Sequence, residues 1–133
     1  LERILNMDLI GFITEHNNIS ESVKYTNNLG EIPNDTSIVS RLINYLNKGT
    51  LVFSWMGYFT DIENDNLICP DSYYTDGHYI WPGYFPYYLK KHENFIIDKG
   101  FITFLTENNF NYLSKLTDKD TSRIEMYLEQ KLN

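Results

Sequence analysis

Between Thr50 and Trp81 the apolar residues recur at every second position, whereas on either side they recur at every third or fourth. That change of period limits what the chain can fold into. In TLVFSWMGYF (50–59), Leu51, Phe53 and Trp55 alternate with Val52, Ser54 and Met56, so successive side chains fall on opposite faces of a strand. DIENDN (61–66) reads as a polar turn, Leu67–Cys69 as a returning strand, and Asp71–Ser72 as a place where it can bulge. Tyr73–Thr75, Asp76–Gly77 and His78–Trp81 give the clearest hairpin signal, because Asp-Gly suits the positive backbone angles of a type I′ turn. The middle of the chain therefore predicts a small antiparallel meander of about three strands over residues 50–81.

The flanks predict helices. Leu1–His16 carries Ile4, Leu5, Leu9, Phe12 and Ile13 at helical spacing, with a stop at Asn17–Asn18. A short helix is expected within Ser20–Asn28, before loops marked by Gly30 and Pro33. Asp35 or Thr36 can cap a helix whose face is Ile38, Leu42, Tyr45 and Leu46 and which Gly49 stops. After Pro82, Gly83–Lys91 can start a helix that tolerates Pro86 only in its first turn. Phe101, Phe104 and Leu105 mark another after Asp98. A last helix, Thr117–Leu132, has Ile124, Tyr127, Leu128 and Leu132 on one face and Thr117 or Asp118 as its cap. The expected architecture is a single α+β domain, 1–133, with the meander packed against N- and C-terminal helices.

Charge narrows the function. Eighteen acids against eleven Lys and Arg give a formal net charge of -7. No Lys or Arg occurs between Lys48 and Lys90, yet Asp61, Glu63, Asp65, Asp71 and Asp76 lie there. Such a field repels phosphate backbones and anionic membranes and draws in basic partners, so neither nucleic acid nor membrane is expected as a partner. The apolar runs are too short to span a bilayer, and Glu2, Asp8 and Glu15 interrupt any signal-peptide core in Leu1–His16. Cys69, the single cysteine, reads as a small apolar residue and fits a reducing cytoplasm.

Catalytic patterns are sparse. His16, His78 and His92 lack metal-ligand spacing, and DIENDN departs from a calcium loop at Asn66 (for Gly) and Ser72 (for Glu). No GxSxG elbow and no phosphate-binding glycine loop occurs, so no cofactor, metal or catalytic residue is expected. Carboxylates among Asp61, Glu63, Asp71 and Asp76, with Trp55 and Trp81, leave open a small hydrolytic or carbohydrate-binding domain. DSYYTDGHYIWPGYFPYYL (71–89) admits three readings. It can be core, with Tyr73, Thr75, Tyr79 and Trp81 on one sheet face under Tyr84, Tyr87 and Tyr88. It can be a sugar-stacking platform, or a protein-binding patch whose acids complement Lys and Arg.

The segment SWMGYFTDIENDNLICPDSYYTDGHYIWPGYFPYYLKKH (54–92) combines a W-x-G strand, a short apolar strand, a T-D-G-x-Y-I-W-P hairpin and an aromatic Y-Y-L helix. It resembles the immunity proteins of bacterial polymorphic and contact-dependent growth-inhibition toxin systems, over about a third of the chain. The resemblance implies a cytoplasmic protein that binds and neutralises a cognate toxin domain stoichiometrically. Its motif residues read as structural, so no contact is carried over by motif. The acidic charge adds that the toxin is basic, such as a nuclease, and that inhibition is largely electrostatic. The expected contacts are Asp61, Glu63, Asp65, Asp71 and Asp76, with Tyr73, Tyr74 and Tyr84 as aromatic anchors. A regulatory interaction module with another partner fits the same residues. Oligomeric state is not legible in this sequence.

Overall fold

The period of two produces the strands. In the computed structural model, which describes residues 7–112 and 115–133, β2 (Thr50–Thr60), β3 (Leu67–Thr75) and β4 (Tyr79–Pro82) pair antiparallel in succession. A two-residue strand, β1 (Asp8–Leu9), adds to β4 in parallel, with Asp8 opposite Tyr79 and Leu9 opposite Ile80. The sheet order is β1-β4-β3-β2, which leaves β2 at an edge. Around it lie α1 (Thr36–Asn47), α2 (Phe85–Lys91), α3 (Lys99–Glu107) and α4 (Asp118–Leu132), so the fold is α+β. Among the described residues no helix is long and apolar enough to cross a membrane.

β1 replaces the expected N-terminal helix. Residues 1–6 of that helix lie outside the described ones, and over residues 7–16 the chain pairs and turns instead of coiling. Gly11 explains why: its φ is +75, and a Cβ there would fall 2.4 Å from the Phe85 ring. The close approach of α2 needs a glycine, and its backbone angle breaks a right-handed helix. Met7, Leu9, Ile10, Phe12 and Ile13 are all buried, so the apolar spacing marked a buried run rather than one helical face. The helix expected within Ser20–Asn28 is likewise a single 3-10 turn, Tyr25–Asn28.

The hairpin turn is also different from expectation. Thr75 pairs with Ile80, which places Gly77 and His78 at the centre of the turn. Only Gly77 has positive φ there (+96), the arrangement of a turn with glycine first rather than of type I′. Asp76 instead accepts hydrogen bonds from the backbone of His78 (2.8 Å) and Tyr79 (2.7 Å) and from the Tyr45 hydroxyl. Its carboxylate shapes the turn from inside.

Two bulges interrupt the alternation of β2. Val52 has no cross-strand partner, and farther on Trp55, Met56 and Gly57 stand opposite Asp71 alone. Gly57, with φ +104, supplies the backbone angle for the second bulge. The β3–β4 register pairs Tyr74 with Trp81 and Tyr73 with Pro82, so Tyr73 and Thr75 do not share a face with Tyr79 and Trp81. On one face Tyr73 stacks near Phe12 and Phe53. On the other, Tyr79 and Trp81 meet Phe101 of α3 and Tyr45 of α1.

The helix caps follow the sequence. Asp35 accepts from the Ser37 and Ile38 amides, Asp98 accepts from the Phe101 amide, and Thr117 with Asp120 forms a capping box on α4. Pro86 sits in the first turn of α2, and α4 packs against β2.

Candidate functional site

The acidic middle of the chain divides into internal and external groups. Asp61, at the end of β2, is fully buried. It accepts from Lys91 Nζ at 3.0 and 2.8 Å, from the Tyr87 hydroxyl at 2.6 Å and from the Glu63 amide at 2.8 Å. Burial alone would raise this carboxyl, but the hydrogen bonds from Lys91 and Tyr87 outweigh it and hold the pKa at about 2. Glu63 is half exposed and accepts from Lys91 (2.6 Å) and from the Tyr25 hydroxyl (2.9 Å), and these bonds lower its pKa. Tyr25 also meets His92 Nε2.

A second set of polar contacts ties the N-terminal segment to α2. The Tyr88 hydroxyl bonds to His16 Nε2 (2.9 Å) and accepts from the Ile62 amide, while burial pushes its pKa up to about 12. The Asn17 side chain donates to the Tyr73 hydroxyl and accepts from the Tyr84 hydroxyl. Tyr84 in turn accepts from the Ile13 amide, and Tyr73 donates to Asp71. Tyr73, Tyr84 and Tyr88 therefore keep their rings in the core and spend their hydroxyls on the segments that cover it.

This geometry revises the expected contacts. Tyr73, Tyr84, Asp61 and Asp76 are buried and occupied internally, so they do not face a partner. Tyr74 and Asp71 are half buried; Glu63 and Asp65 are exposed. Lys91 also offsets part of the acidity, because a basic residue outside the Lys48–Lys90 gap folds back onto it. Asp61 and Glu63 converge on Lys91 Nζ. An open cleft of about 530 Å³ beside the hairpin reaches Asp76, whose carboxylate is engaged in the turn. Trp81 is buried, and Trp55 is 38% exposed. Cys69 lies half buried under Gly83, and burial, followed by the Asp71 charge, raises its thiol to about 11, away from nucleophilic behaviour at neutral pH.

The sequence reading missed the exposed apolar side chains of β2 and the start of β3, which lie on both faces of the sheet. The bulge at Val52 puts Leu51 with Tyr58 on the Tyr74 face, apart from Phe53 and Trp55, which the alternation groups with it. Met56 is 99% exposed, Leu67 66%, Tyr58 64% and Leu51 50%. Trp55 continues a file of rings outward from the core: Tyr73 to Phe53 at 5.3 Å, and Phe53 to Trp55 at 5.3 Å. The strand TLVFSWMGYFT contains no charged residue, a signal that was visible but fits a buried strand equally well. Exposed Asp65 and Glu63 sit in the turn after β2, and Asp71 lies opposite the bulge.

Comparison with family models, with curated proteins and with solved structures found no match.

Proposed function

We propose that this chain is a binding protein that neutralises a basic partner domain by occupying its surface one to one, as the immunity proteins it resembles do with a toxin domain. The observation that carries this reading is the uncharged outer strand β2, which exposes Leu51 and Tyr58 on one face, Trp55 on the other and Met56 at the bulge, close to acidic Asp65 and Asp71. Exposed aromatic and Met side chains are enriched at the centres of protein interfaces, and charges on the rim steer the encounter. A partner rich in Lys and Arg, such as a nuclease working in the cytoplasm, complements this surface. Acids on the rim would take the places that substrate phosphates occupy on such an enzyme.

The test is to purify the chain with any toxin domain found encoded beside its gene, then measure stoichiometry, toxin activity and association rate. The expected result is a one-to-one complex without toxin activity, formed more slowly as salt rises. Reversing Glu63, Asp65 and Asp71 to Lys should slow association more than it speeds dissociation. No complex, or unchanged kinetics in the triple variant, would count against the reading.

A further inference from the structure

We propose that the basic partner docks by adding an extended strand to the free edge of β2, with Met56 and Tyr58 as side-chain anchors. This proposal rests on the binding reading above.

The orientation of the backbone comes from the partners across the ladder. In an antiparallel pair, opposing residues turn their N–H and C=O groups either toward each other or both away. Ser72 gives its carbonyl to the Gly83 amide (2.9 Å), on the side away from β2, and Pro70 has no N–H to give. Their partners Ser54 and Tyr58 therefore turn their backbone groups outward, and Thr60, two residues beyond Tyr58, does the same. Among the described residues no backbone hydrogen bond from another segment reaches these three positions. β2 thus presents a ready acceptor–donor row at Tyr58–Thr60, with a second outward site at Ser54 beyond the bulge.

Edge strands in monomeric proteins are usually blunted by Lys, Pro, inward charges or bulges. β2 has no charge and no Pro along eleven residues, and only its two bulges blunt it. The second bulge limits pairing to short segments and at the same time lifts Met56 clear of the sheet. An incoming strand can then bond to the backbone at 58–60 while its side chains pack on Met56 and Tyr58. Charge selects the occupant. Asp65 stands exposed just past Thr60, and Asp71 lies across from the bulge, so Lys or Arg on the added strand would meet a carboxylate toward each end; Glu63 is already engaged by Lys91. A second copy of the chain would instead bring two molecules of net charge -7 together.

The test uses a short synthetic peptide alternating Lys and Val, a Glu–Val counterpart, and amide hydrogen exchange followed by NMR. Binding of the Lys–Val peptide should bring a loss of exchange at the Tyr58 and Thr60 amides, and the Glu–Val peptide should not bind. Met56→Ala and Tyr58→Ala, both at exposed positions, should each weaken binding roughly tenfold. Binding that protects other surfaces while Tyr58 and Thr60 still exchange overturns edge docking and leaves the binding function standing. Protection of the same amides by self-association, without peptide, overturns the choice of a basic partner. Binding of neither peptide overturns the edge, and the function is then judged separately by titration with any neighbouring toxin domain.

Discussion

Lys91 of α2 reaches Asp61 at the end of β2 through two hydrogen bonds, 3.0 and 2.8 Å long, between residues 30 positions apart. The carboxylate is buried and the lysine side chain is 25% exposed, so the pair is shielded on one side only. Lys91→Met keeps the aliphatic stem but leaves the buried carboxylate with Tyr87 and one amide. The expected loss is about 2–3 kcal/mol in urea unfolding at neutral pH. Because the Asp61 pKa is lowered to about 2, its contribution is full above the ordinary carboxylate range and disappears as pH falls through the folded value. The acid limb of the stability curve should therefore be shallower in Asp61→Asn. Equal acid limbs in the two proteins would refute this assignment.

His16 predicts a second pH dependence, nearer neutrality. Its ring lies against Tyr84 and Phe59 and bonds to the Tyr88 hydroxyl. Burial lowers its pKa, and the nearby Glu15 and Asp61 charges oppose that effect without cancelling it. The unfolded chain then binds more protons than the folded one, so stability falls as pH drops from about 7 to about 5. In His16→Gln this part of the slope should diminish, measured by denaturant unfolding across the range. A ring resonance of His16 that titrates above its ordinary value would contradict the argument.

The residues that could be read in advance carry their instructions locally. Asp35, Asp98 and Thr117 sit beside the helix starts they cap, and Pro86 limits where α2 can begin. The features that escaped depend on distant partners. β1 exists because Ile80 and Tyr79 offer it an edge, and Gly11 is shaped by Phe85. The same holds for the candidate surface. Acidity and aromatic content were evident, but whether a ring or carboxylate faces water depends on register. Tyr73 turns inward while Tyr58 turns outward, and Asp61 is neutralised by a lysine from another element. A strand without charges reads as core until its place at the edge of the sheet is known.

Gly49 and Trp81 provide the most stringent check on how β2 is set against the core. A Cβ on Gly49 would fall 2.5 Å from Trp81 Cζ2 and 3.2 Å from both Cη2 and the Tyr74 Cβ. Trp81 is fully buried, with Tyr45 on one side and Tyr74 as its cross-strand partner, so the ring has little room to withdraw. Among the described residues its Nε1 has no hydrogen-bond partner, so packing against its neighbours sets its position. Gly49→Ala should cost about 1–3 kcal/mol by overpacking, read from the urea midpoint, and should alter the near-ultraviolet circular dichroism of the indole. Trp81→Phe removes the obstructing atoms, so the two changes together should cost less than the sum of each alone. Strict additivity would show that the methyl group is accommodated by movement of the α1–β2 link. Because β2 begins at Thr50, directly after this glycine, such movement would also shift the strand whose outer edge is exposed.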